Sequence, residues 1–114
     1  MQRVALRAGV EHYRHQTIVP MVCAGDDVLS LGARLLDVCL FDHVVVLAQR
    51  DGHDRPDCHS VVRRVQELGA EVDEDGLCLL CFSGHGIEWK ADSAPAGDPP
   101  QMCLLTEETS LATP

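Results

Sequence analysis

Leu77-Cys-Leu-Leu-Cys-Phe-Ser-Gly-His-Gly86 is the stretch on which the fold turns. Leu77 to Phe82 runs apolar without a break. A strand with one wet face alternates, so an unbroken run is the pattern of a strand covered on both faces, as in a parallel sheet between helices. The run passes straight into Ser83-Gly84-His85-Gly86. Two glycines around a histidine free the backbone for unusual dihedrals and let another chain approach closely. Reactive groups in open parallel sheets gather just beyond the carboxyl ends of the strands. An imidazole placed there can serve as a general acid or base near neutral pH.

Upstream, Val44-Val-Val-Leu47 is a second two-sided apolar run. Arg3-Val-Ala-Leu-Arg-Ala-Gly-Val10 reads as a first strand, weakened by Arg3 and Arg7. Between these strands the period becomes helical. Val28, Leu31, Leu35 and Cys39 form one stripe from Asp26 to Leu40, with Asp26 or Asp27 as the cap. Asp57 caps a second helix whose stripe is Val61, Val65 and Leu68, and Gly69 is expected to stop it. Residues 87 to 101 read as a surface loop rich in Pro, Gly and Asp, and Met102 to Leu105 as a further short strand. The order β-α-β-α-β predicts one α/β domain, a small parallel sheet sandwiched by helices with right-handed crossovers.

The composition agrees. At 114 residues there is material for one modest core, and 46% hydrophobic against 4% aromatic residues means a core of Val, Leu, Ala and Cys. The formal net charge of −9 would be repelled by phosphate backbones and anionic membranes, which argues against a nucleic-acid partner. No apolar run approaches the ~20 residues that span a bilayer. Arg3, Arg7, Glu11, His12 and Arg14 interrupt any signal-peptide core, so the six cysteines are expected as thiols in a reducing, cytoplasmic setting.

The strand and turn from Leu77 to Gly86 resemble those of metacaspases and related caspase-like cysteine peptidases. Other segments fall into the same order. Val4 to Val10 with Tyr13 is similar to the family's first strand and following tyrosine. Cys23-Ala-Gly-Asp-Asp-Val28 is similar to its Cys-x-Asn-Asp-Ala turn, and Phe41 to Leu47 to its second strand. Arg55-Pro-Asp57 leads a similar second helix, and Met102-Cys-Leu-Leu105 fits the strand after the histidine loop. The resemblance implies a three-layer αβα caspase-like fold, here in part. His85 would be the catalytic histidine, activating a cysteine thiol and protonating the leaving amine. The Gly86 N–H would supply half of an oxyanion hole. Ser83 would line the pocket for the side chain before the scissile bond, with Asp27, or Asp26 if the register slips, selecting Arg or Lys. The implied partner is a protein or peptide substrate of basic character.

The chain also departs from the family. Gly25-Asp26-Asp27 replaces the Asn-Asp-Ala turn, and Thr106-Glu107-Glu108 stands where the family has Pro-x-Asp. The family's nucleophile lies in a later Asp-x-Cys-x-Gly-like turn, and nothing after Leu105 resembles it. The domain is thus expected to be the histidine half of a site, inactive alone. A non-catalytic relative, pairing with an active one through the open sheet edge, is the alternative. A flavodoxin-like domain is disfavoured because no Gly-rich phosphate loop follows the first strand.

Other cysteines and histidines carry less. Cys78 and Cys81 are three apart in a strand, so their thiols point to opposite faces and cannot share one zinc ion. Cys103 falls inside a strand without glycine neighbours. Cys58, His59, His43 and His53 read as surface residues. The acids Asp92, Asp98, Glu107 and Glu108 are oxygen ligands of a kind that suits calcium, with a solvated acidic face the simpler expectation.

Overall fold

A computed structural model describes residues 2–90, 92–93 and 95–109. Its elements are β1 (Arg3–Gly9), α1 (Ala24–Asp37), β2 (His43–Leu47), α2 (Cys58–Glu71), β3 (Leu77–Ser83), β4 (Gly86–Trp89) and β5 (Gln101–Leu104). The first three strands form a parallel sheet in the order β2-β1-β3, and β4 and β5 form a separate antiparallel hairpin. The expected parallel α/β sheet is present, with β1 at its centre.

Strand alternation sorts the helices. Val45 and Leu47 share a cluster with Val4, Leu6, Ala8 and Leu68 of α2, with Val61 and Val65 packed against it. Val44 and Val46 point the other way and lie under Gly32 of α1. The two helices therefore cover opposite faces. The chain steps from β1 to β2 in one direction and from β2 past β1 to β3 in the other. A constant right-handed crossover then demands opposite faces. Leu68 is the one fully buried side chain of α2, at 1% exposure, and its burial contributes roughly 2 kcal/mol.

Local signals succeed where they are short-ranged. Asp57 caps α2, accepting the Ser60 N–H at 2.7 Å. Asp26 and Asp27 do not cap α1. They sit in its first turn, its N-cap is Cys23, and no side-chain cap bond forms there. The Gly25 N–H instead donates to the distant Glu11 carboxylate at 3.0 Å. Gly69 does not stop α2, which continues to Glu71 and ends where Val72 turns extended. The expected loop from 87 contains β4, because Gly86 to Trp89 finds a partner in β5.

One residue is held against its preference. Leu40, just past α1, has φ 55°, the left-handed region that an L side chain disfavours, and it is 69% exposed. Leu40→Gly is expected to raise stability by about 0.5–1 kcal/mol, because it removes the Cβ clash and gives up little packing. Urea titration of the two proteins checks this. An unchanged or lower midpoint contradicts it.

Candidate functional site

The site forms where the order of the strands reverses. Connections leave β1 toward β2 on one side and return to β3 on the other, so the crevice opens beyond the carboxyl ends of β1 and β3. Gly9 pairs with Ser83 as the last rung. The Val10 N–H then donates to the Ser83 carbonyl at 2.9 Å, which carries the pairing one residue into the loop. Glycine is required at position 9 by proximity, since a Cβ would lie 2.6 Å from the Ala24 carbonyl oxygen. Its absence lets α1 begin directly over the strand end.

Gly84 turns the chain under a similar constraint. A Cβ there would meet the Tyr13 hydroxyl and the Phe82 ring, each at 2.8 Å. The Tyr13 oxygen accepts the His85 backbone N–H at 2.8 Å, and its ring lies 5.5 Å from the imidazole, tilted by 46°. Burial pushes the Tyr13 phenol up, against the smaller effect of that hydrogen bond, so it remains protonated at neutral pH.

The His85 side chain is held by a backbone atom. Its Nε2 lies 2.7 Å from the carbonyl oxygen of Val19. A carbonyl can only accept, so Nε2 bears the proton of this contact, and the neutral ring keeps its lone pair on Nδ1. This is the relation of a base to the group that orients it. A cavity of about 210 Å³ lies beside the imidazole, lined by Thr17, Ile18, Val19, Gly86, Ile87 and Leu105.

Gly86 is placed by the hairpin. The Leu105 N–H donates to the His85 carbonyl at 2.9 Å, and Gly86 faces Leu104 in the register. Antiparallel bonding alternates, so the Gly86 N–H is aimed away from β5 and takes no part in the ladder. The hairpin is tied to the sheet by loop contacts. The Arg14 N–H donates to the Glu107 carbonyl at 2.9 Å, and the buried Glu107 carboxylate meets Arg55 at 3.0 Å and Gln49 at 3.0 Å.

Of the residues expected at the site, Ser83, His85 and Gly86 are brought together at the end of β3. Asp26 and Asp27 are exposed on the first turn of α1, which lies over Gly9, the partner of Ser83. Asp26 is drawn to Arg50 at 3.4 Å, whereas Asp27 forms no ion pair among the described residues. Sequence reasoning missed Val19, Tyr13 as a backbone anchor, and the Glu11–Arg50 pair. Val19 acts through its carbonyl, which no residue type signals. Glu11 offered only a lone acid beside a strand end.

Cys78 and Cys81 pair with Val4 and Arg7, on opposite faces of β1. His43 is 2.9 Å from Glu71, and the Cys58 N–H donates to Glu108 at 2.8 Å. No group of three or more His, Cys, Asp or Glu side chains able to hold a metal ion is found among the described residues. No helix among them is long and apolar enough to cross a membrane. No protein-family model matches the chain, and no curated protein matches it.

Proposed function

We propose that this chain bears the histidine side of a caspase-like, metacaspase-type cysteine endopeptidase site. The thiol would be delivered by a polypeptide segment outside these 114 residues. The observation that carries the reading is the anchoring of His85 Nε2 by the Val19 carbonyl, which leaves Nδ1 as the basic atom beside an open cleft. In this reading Nδ1 takes the thiol proton and the thiolate attacks the scissile carbonyl carbon. The tetrahedral oxyanion is met by the Gly86 N–H. The C–N bond then breaks, the imidazolium returns its proton to the leaving amine, and water hydrolyses the thioester with His85 again as base. The Val19 carbonyl accepts a hydrogen bond from the ring throughout and so stabilises the imidazolium stage.

The test is the polypeptide whose reading frame continues past Pro114, provided it contains an Asp-x-Cys-x-Gly-like turn. It is expected to cleave Arg- or Lys-terminated reporter peptides and to lose activity by roughly a thousand-fold or more with His85→Ala. Unchanged cleavage in that variant would sink the reading. Specificity is a further expectation. With Ser83 and the acids Asp26 and Asp27 near the strand end, the assembled enzyme favours an Arg reporter over the matching Asp reporter by about tenfold or more. The opposite preference would refute the assignment of these residues to the pocket.

A second reading has its own observation. β3 is an edge strand of the described sheet, and Leu77 and Leu80 are 47% and 53% exposed on it. A non-catalytic protein that pairs with a relative through that edge would present such a strand.

A further inference from the structure

Arg7 is the residue that neither the fold nor the His85 site explains. It lies in the central strand β1, flanked in register by Val46 of β2 and Cys81 of β3. Alternation puts it on the same face as Gly9, the face covered by α1. Only 6% of the residue is exposed. Its guanidinium Nε and Nη1 are buried and have no hydrogen-bond partner among the described residues. The contrast with the other well-buried charged residues is sharp. Glu11 is forked by Arg50, and Glu107 is met by Arg55 and Gln49.

An arginine cannot escape this position by losing its proton, because its guanidinium stays charged at any working pH. A buried, unpaired charge is among the costliest features a fold can carry, and natural interiors pair such charges or coordinate them. The partner that suits a planar guanidinium is a carboxylate or another oxyanion able to accept two N–H bonds at once. Chain charge does not prevent this. The protein is acidic overall, at −9, but no acidic side chain reaches Arg7 among the described residues.

We propose that Arg7 is an anion site, in which the guanidinium between β1 and the α1 layer takes a carboxylate-type oxyanion in the folded protein. The anion comes either free from solution or from an Asp or Glu of a second copy of this chain. The site is independent of the peptidase reading, since it uses neither His85 nor its cleft.

The experiment follows thermal unfolding of the full chain and of Arg7→Met in low-salt HEPES, with sodium formate titrated in. Without formate, Arg7→Met is expected to be as stable as the wild type or more so, since an apolar isostere replaces an unpaired charge. With formate the wild type overtakes it, rising by about 10 °C at a hundredfold excess over the dissociation constant. General salt effects appear in both proteins and cancel in the comparison. A midpoint that rises with protein concentration instead, in the wild type alone, assigns the anion to a second copy. In case Arg7→Met does not fold, the Arg7 Nε–H resonance of the wild-type protein is followed by NMR through the same two titrations. If formate and protein concentration both leave that resonance and the wild-type midpoint unmoved, the proposal is overturned, and the guanidinium is solvated by water alone.

Discussion

Assayed on Arg- and Lys-terminated reporter peptides, with and without calcium, the purified 114-residue chain is expected to show no measurable cleavage of any of them. A positioned imidazole can polarise water, but amide hydrolysis at useful rates relies on the covalent step that divides the barrier. Removing the nucleophile from a comparable triad leaves only the acceleration due to the oxyanion hole and binding, ~10³–10⁴ over water. In the proposed reading the hole would also be incomplete, because Gly86 would supply one N–H and the second donor is expected at the nucleophile. Among the thiols of this chain, Cys103 is the one to exclude by experiment. It faces Ile87 across the hairpin, and Ile87 and Leu105 line the cavity beside His85. Residues 103 and 105 share a strand face, so Cys103 lies on the His85 side of the hairpin. Yet no hydrogen bond joins its sulfur to the imidazole among the described residues. Cleavage that both His85→Ala and Cys103→Ala abolish would show that Cys103 is the nucleophile after all.

The parts of this molecule that were legible in the sequence are those whose signal is local. Leu77 to Phe82 announces a strand through its unbroken apolar run, and β3 spans Leu77–Ser83. The expected cover on both faces is not found, because β3 lies at the edge of the described sheet and Leu77 and Leu80 are 47% and 53% exposed. Asp57 announces a cap because the bond it forms is to its own helix. β4 was hidden because Gly-Ile-Glu-Trp is too short for a period and becomes a strand only by pairing with β5, twelve residues further along the chain. The cap of α1 was misplaced for a related reason. Asp26 and Asp27 are of the right type beside a helix start, but the Gly25 N–H is taken by Glu11, fourteen residues earlier. At the site, the position of His85 could be read from strand-end logic. Its orientation could not, since the atom that sets it belongs to the backbone of Val19, 66 residues away.

The same long-range character makes Glu11 a residue whose loss should damage the fold. Its side chain is 6% exposed at the exit of β1. Arg50, beyond the end of β2, reaches it with two bonds, Nη2 to Oε1 at 2.6 Å and Nη1 to Oε2 at 2.7 Å. Oε1 also accepts the Gly25 N–H at the start of α1. One side chain thus joins the ends of two strands to the first turn of a helix, at the rim of the candidate site. Glu11→Ala removes the acceptor of all three bonds and leaves the Arg50 charge without its fork. Arg50 is about one-third exposed and can recover some hydration, so the cost falls below that of a fully buried pair. A loss of about 2–3 kcal/mol is expected, lowering the unfolding midpoint by roughly 8–13 °C. Glu11→Gln separates charge from shape. Arg50 holds the Glu11 carboxyl below the ordinary carboxylate range, against the opposing effect of burial, and the Gly25 N–H adds to the lowering. A depressed folded-state value means that this stabilisation is complete above the unfolded carboxyl's pKa of about 4.3 and is lost as the pH falls through the lower folded value. Asp54 and Asp57 are also lowered, by Arg64 and by the Ser60 N–H, and fade in the same window. The wild type should therefore lose stability steeply below about pH 4, and Glu11→Gln less steeply, with the slope of the two aspartates retained. Denaturant midpoints measured from pH 6 to pH 2.5 on both proteins decide the matter. Parallel profiles would show that the Glu11–Arg50 pair contributes nothing to the pH dependence, and the stability assigned to it would fall with that result.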